Sequence, residues 1–340
     1  LQCRRLPKPH ISTYMYKPLV GLSYHQDQSG RIFDYEYDGL GRLCRTFVRN
    51  GTTHEKEILS SYSYSYGPSA GGNRIRARDY LSADAASFKE TNTYHDLLGR
   101  PVETVMTAAS PAGKDIVLLS EYDDFGRPYR KFCPVPMTTS TGAYASFSDI
   151  HPEILKFYNW EVYAFSKTLY DDSPLDRPVE EYGPGSPWHT RGKSVRTSYL
   201  VNDGSGLLSC SGYLVESDTS LTCVGVLPSG NLRVEKKTDE DGNVSLTFTD
   251  NLGRKTLERT VDGERYQDTY YVYDDLGLLR YVLTPEASTV MSSSGTFGDS
   301  SSPLSAQAYV YKYDGKGRCV SKRLPGCAPI LYRYDKGDVP

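Results

Sequence analysis

A few residue groups in this chain have the types and spacing that chemistry uses. Asp123-Asp124 and Asp274-Asp275 are paired carboxylates of the kind general acid and base catalysis needs, and a glycosidase-like enzyme in residues 91–235, working through Asp123 or Asp124, is one reading of them. Neighbouring strand residues point to opposite faces, however, so two adjacent acids do not converge on one bond. Gly183-Pro-Gly-Ser186, with His189 three residues on, invites a hydrolase reading. A nucleophile elbow needs Gly-x-Ser-x-Gly, and Pro187 and Trp188 stand where that pattern requires otherwise, so a turn anchored by Trp188 is the stronger reading. Asp239-x-Asp241-Gly242-Asn243 matches the opening of a calcium loop but lacks the closing glutamate, which favours a hairpin turn.

Metal and redox chemistry find no support. His10, His25, His54, His95, His151 and His189 show no His-x-x-x-His spacing, and the seven cysteines show no Cys-x-x-Cys, so no metal and no cofactor is expected. Cys210 and Cys223 flank Gly212 and could face each other across a hairpin, although separate buried thiols are favoured over a disulfide. Thirty-nine basic against 42 acidic side chains give a formal charge of −3, with no basic run to follow a phosphate backbone, which excludes nucleic acid as the expected partner. No apolar run approaches the ~18 residues of a membrane-spanning helix. No signal peptide is visible, but the chain opens on Leu1 and stops at Pro340 inside a repeat, so it reads as a fragment of a longer protein.

The paired acids belong to a larger pattern. Tyr37-Asp38-Gly39-Leu40-Gly41-Arg42 recurs around Tyr94, Asp96, Gly99 and Arg100; Tyr122, Asp123, Gly126 and Arg127; Asp250, Gly253 and Arg254; Tyr273, Asp274 and Gly277; and Tyr313, Asp314, Gly317 and Arg318. Looser copies stand at Asp27–Arg31 and Tyr170–Arg177, and another begins at Tyr332-Arg-Tyr-Asp335. Tyr35 and Tyr37 are two apart and share a strand face; the aspartate can then accept backbone N–H groups as an Asx turn, and the glycine can supply φ > 0. Each copy therefore predicts a β-hairpin in which, with a four-residue loop, Tyr37 and Arg42 become cross-strand neighbours. Two copies depart from the pattern. Leu278 replaces the arginine, which removes the expected Asp–Arg pairing there, and Asp176 replaces the glycine, which predicts a turn with its own geometry.

Twenty-nine tyrosines against ten phenylalanines and two tryptophans suit strands whose rings pack while their hydroxyls find partners. The fold class expected is all-β, mainly antiparallel, with hairpins at irregular spacing wound into a large curved sheet. Ser61–Tyr66 reads as the clearest strand, and its Tyr62, Tyr64 and Tyr66 offer a face for ring stacking on carbohydrate. Asn50-Gly51 predicts a two-residue turn, Asp149 a helix cap before Pro152, and Met291–Pro303 a mobile loop. The segments expected are hairpins over 1–66, a connector over 67–90, a separate domain over 91–235 and hairpins again over 236–340.

Tyr-Asp-x-x-Gly-Arg at irregular spacing resembles the YD-repeat, or Rhs-repeat, family. Tyr94–Arg127, the Ser173–Arg177 turn and Pro184–Trp188 are similar to a domain of unknown function found inside bacterial Rhs proteins. The resemblance implies a β-shell, secreted or at the bacterial cell surface, that encloses its own C-terminal segment, often a toxin; animal relatives use a similar shell for adhesion. Longer family members end the shell in an aspartate-rich self-cleavage segment, and none precedes Pro340. The leading expectation is thus a structural, non-catalytic piece of such a shell, whose partner is a C-terminal cargo domain. A carbohydrate-binding adhesin comes second and the glycosidase third.

Overall fold

The computed structural model describes residues 11–51, 53–68, 71–217, 220–291, 295–300 and 302–335. Cys3 and His10 lie outside them. The chain divides into two compact units, residues 1–168 with 183–191, and residues 169–182 with 192–340. Both are built from antiparallel strands joined mainly by hairpins.

In the first unit the strands are β1 (Thr13–Lys17), β2 (Gly21–Gln26), β3 (Ile32–Tyr37), β4 (Leu43–Arg49), β5 (Lys56–Ser65), β6 (Asn73–Tyr80), β7 (Phe88–His95), β8 (Pro101–Met106), β9 (Ile116–Tyr122), β10 (Pro128–Phe132), β11 (Val135–Pro136) and β12 (Phe165–Tyr170). From β1 to β9 each pairs with its successor. β9 then pairs with both β10 and β11, and β10 with the start of β12. Helix α1 (Phe147–Phe157) lies against β11 and buries Ile150 and Ile154 among Val105, Val117, Phe132, Val135 and Phe165. Ser146 caps it, while Asp149, the expected cap, sits at the third helical position and accepts the Ser146 backbone N–H at 3.1 Å. That reciprocal arrangement satisfies an otherwise orphaned donor. Pro152 is accommodated inside the helix. A short helix, α2 (Ser186–Thr190), completes the unit.

The second unit contains β13 (Pro178–Tyr182), β14 (Val195–Val201), β15 (Ser211–Ser217), β16 (Ser220–Val226), β17 (Arg233–Thr238), β18 (Val244–Thr249), β19 (Lys255–Asp262), β20 (Arg265–Tyr273), β21 (Leu279–Leu283), helix α3 (Pro285–Val290), β22 (Gly295–Gly298), helix α4 (Ser302–Gln307), β23 (Ala308–Tyr313), β24 (Cys319–Arg323) and β25 (Ile330–Leu331). Strands β15, β16 and β22 form a separate three-stranded sheet. The others pair in chain order from β13 to β25. Period-two alternation builds the core: on β18, Leu246 and Phe248 are buried while Ser245 and Thr247 are not. They join Leu257, Val272, Tyr281, Leu283 and Val310 beneath residues of the small sheet and the two helices. Fully burying such side chains contributes about 1.5–3 kcal/mol each.

Several local expectations need correction. Residues 67–90 carry β6 and the start of β7, because Ile75 and Ala77 alternate with arginines as a strand requires. Asn50-Gly51 opens a wider loop in which the Asn50 N–H donates to Glu55 O. Within the expected mobile loop, Met291 is fully buried and β22 is hydrogen-bonded to β16, since the serines flank an apolar anchor; residues 292–294 and 301 lie outside the described residues. Cys210 and Cys223 are separate buried thiols, as Cys223 sits opposite Tyr213 in the ladder.

Candidate functional site

The repeat turns share one construction. Asp38 Oδ1 accepts the backbone N–H groups of Leu40 and Arg42, both at 2.9 Å, while Oδ2 accepts Arg42 Nε at 2.7 Å. The Asp38 N–H donates to Arg42 O, and the Gly41 N–H to Asp38 O. The same clamp joins Asp96 to Arg100, Asp123 to Arg127, Asp250 to Arg254 and Asp314 to Arg318, with Nε to Oδ2 distances of 2.7, 2.8, 2.7 and 2.8 Å. Gly41, Gly99, Gly126, Gly253, Gly277 and Gly317 all sit at φ between 76° and 85°. A side chain there would cost roughly 1–2 kcal/mol, which explains the glycine.

Tyr37 pairs with Leu43, not Arg42 as expected, and the ladder slips by one residue at this point. The cause is the clamp, which draws Arg42 into the turn. It also sets ionisation. The Arg42 guanidinium holds the Asp38 carboxyl below its ordinary range, as Arg318 does for Asp314. At Asp96, Asp123 and Asp250 burial pushes upward, but the backbone N–H groups and the guanidinium outweigh it and the net shift is down.

Several of these arginines also meet a tyrosine further along the chain. Arg100 Cζ lies 4.5 Å from the Tyr122 ring centroid, and the Tyr122 hydroxyl donates to Pro101 O at 2.9 Å. Arg42 stacks likewise on Tyr64, whose hydroxyl reaches Leu43 O; Arg177 on Tyr199, reaching Pro178 O; and Arg318 on Tyr334, reaching Cys319 O. In a Tyr-Asp dipeptide such as Tyr122-Asp123, the aspartate therefore closes its own turn while the tyrosine latches the turn before it. Tyr94 departs from this: one residue separates it from Asp96, so its ring enters the core and its hydroxyl donates to Gly142 O at 2.7 Å.

The irregular copies keep the clamp by other means. Leu278 does not abolish it, because Arg280, two residues on, places Nη1 3.3 Å from Asp274 Oδ2. Asp171 takes Arg177 Nε at 2.8 Å across a longer turn, with Asp176 at φ 51° where glycine is usual. Asp27 holds Arg31, and its carboxyl falls to about 2, led by the Ser29 hydroxyl. The calcium-like Asp239 turn uses Asn243 Nδ2 in place of a guanidinium, at 2.8 Å.

Residues 72–201 match a domain of unknown function, DUF6443. No curated protein matches the chain. Among solved structures, the crystal structure of TcdB2-TccC3-TEV superposes with a TM-score of 0.54 at 12% identity, covering 97% of this chain and 20% of that one. That of TcdB2-TccC3 without its hypervariable C-terminal region gives 0.50 at 11%, covering 92% and 19%. The fold is that of a segment of the TcdB2-TccC3 chains. This chain spans about a fifth of their length. Both findings fit the Rhs-like reading of the sequence. Among the described residues, no helix is long and apolar enough to cross a membrane.

Of the other candidates, the Ser186 hydroxyl donates to Glu161 at 2.6 Å, while the His189 ring stacks on Tyr163, so the two are not assembled as a nucleophile and base. Tyr64 is committed to the Arg42 clamp, and the Tyr66 hydroxyl accepts from Arg42 Nη1. Asp123 is clamped while its neighbour Asp124 is exposed.

Sequence reading missed three further acids, of which Asp115 and Glu103 are buried and Asp268 is half-buried. Asp115 accepts N–H groups from Ala108, Thr141 and Gly142 and the Thr139 hydroxyl, tying that loop to the sheet. Glu103, 1% exposed, accepts only the Ala145 N–H among the described residues, and burial pushes its carboxyl up to about 7. Asp268 faces the buried Arg259 directly across the β19–β20 ladder, at 2.7 Å. The available signal was parity: Glu103 shares its strand face with Val105, and Arg259 with Leu257 and Val261, placing charges on core-facing positions.

Proposed function

We propose that this chain is a wall segment of a YD-repeat, Rhs-type β-shell, secreted by a bacterium, with no catalytic site of its own, and that the longer protein uses the wall to enclose a C-terminal effector domain. The observation that carries the reading is the repeated clamp and latch. It spends the acids, arginines and tyrosines of the repeat on joining successive hairpins, which is what an extended wall needs and an active site does not. The likeness of the fold to the TcdB2-TccC3 chains supports it.

The test uses the natural full-length gene product. Its segment beyond residue 340 should resist trypsin while attached to the intact protein and be digested rapidly when produced alone. Equal digestion of both forms would sink the enclosure reading.

A further inference from the structure

In the second unit a cleft of about 590 Å³ opens between the end of β22 and the β23–β24–β25 edge. Its floor is set by register. Lys312 pairs with Ser321 and Val310 with Arg323, so all four side chains share one sheet face. Pro329 and Leu331 form an apolar side wall, and Asp299 forms the lip.

The polar groups in this cleft do not balance. Asp299, 8% exposed, accepts the Tyr281 hydroxyl on Oδ1 at 2.8 Å, and its Oδ2 forms an ion pair with Lys312 Nζ at 2.9 Å but accepts no hydrogen bond among the described residues. Arg323 spends Nη2 on two backbone carbonyls, Asp299 O at 2.8 Å and Leu304 O at 3.3 Å. Its Nε–H is buried and has no acceptor. No carboxylate among the described residues pairs with it. With its guanidinium held by neutral carbonyls and one donor unsatisfied, Arg323 joins Lys312 around a cleft whose lining holds one acid, Asp299, which leaves an excess of positive charge there. Buried orphan donors are rare in folded proteins, and a bound ion is a recognised reason for one. An oxyanion is the partner a guanidinium prefers, because the hydrogen bonds it makes there are charge-assisted.

We infer that this cleft is a binding site for an oxyanion, a phosphate or a carboxylate, held by Arg323 with help from Lys312 and the Ser321 hydroxyl. Two sources share that chemistry: a free small anion, and an acidic side chain of a peptide segment crossing the apolar wall of Pro329 and Leu331.

Calorimetric titration of the whole chain with inorganic phosphate, and separately with a blocked Gly-Glu-Gly peptide, tests the site and distinguishes the sources. Saturable binding of either is expected, weakened at least about tenfold in Arg323→Gln, the usual scale for losing a charged hydrogen bond. Arg45→Gln, in the other unit, should bind as the unaltered chain does. Should Arg323→Gln fail to fold, Ser321→Asp replaces it: an internal carboxylate opposite Lys312 should occupy the site and abolish binding. Binding of phosphate alone assigns a small anion, and binding of the peptide alone assigns an acidic segment. Failure of both to saturate at millimolar concentration, or undiminished binding in Arg323→Gln or Ser321→Asp, overturns the inference. Neither result bears on the shell reading, which the protease experiment decides.

Discussion

The guanidinium of Arg100 is held between the Asp96 carboxylate of its own turn and the ring of Tyr122, which belongs to the next Tyr-Asp copy. The repeat is a link here, because the copy at Tyr122 completes the turn of the copy before it. Tyr122→Phe removes the bond to Pro101 O and should cost about 0.5–1.5 kcal/mol. Arg100→Ala and Tyr122→Ala should be non-additive by about 0.5–1 kcal/mol in a double-mutant cycle of urea unfolding, as expected for a cation on a ring. Strict additivity would mean the stacking is incidental.

Clamped and unclamped acids of the repeat turns are not equivalent. Asp250→Ala strips acceptors from two backbone N–H groups and from Arg254, with an expected cost of about 1–3 kcal/mol, toward the lower end because the turn is partly solvated. Asp124→Ala, at an exposed turn position, should stay within about 0.5 kcal/mol. Chemical denaturation of both variants checks the contrast.

Arg280 substitutes for the arginine missing at Leu278, and its side chain is only 8% exposed. Breaking this largely buried pair with Arg280→Ala should destabilise by roughly 3 kcal/mol. Adding Leu278→Arg, which restores the usual spacing to Asp274, should recover part of the loss. Thermal melts of the single and double variants decide it, and an absence of recovery would show that Arg280 acts through packing instead.

Two kinds of acid give opposite pH responses. The clamp aspartates have folded values below their unfolded ones, so their stabilisation is present in full above about pH 4 and is lost as pH falls through the folded values. Glu103 is the reverse. Its carboxyl rises from 4.5 to about 7, so the folded state binds more protons between those values and stability declines as pH rises through that window. Glu103→Gln should therefore raise the melting temperature more at about pH 8 than at about pH 5. An equal change at both would show that Glu103 does not titrate in this window.

The residues alone determined the class of fold and the position of its turns. Asp38, Gly41 and Arg42 are local: an Asx acceptor, a left-handed corner and a guanidinium within reach of one another specify the turn without help from the rest of the chain. The strands followed, because alternation such as that of Leu246 and Phe248 survives in any hairpin. Tertiary structure decided what needed a partner far along the chain. It showed that Tyr122 serves the turn of Arg100, that Arg280 replaces Leu278, and that Arg323, Lys312 and Asp299 meet in one cleft. None of these has a sequence signature, since side chains separated by many residues meet only once ladder register and packing are fixed. The burial of Met291 amid serines has the same cause: the second unit's core, and not local composition, holds it in place.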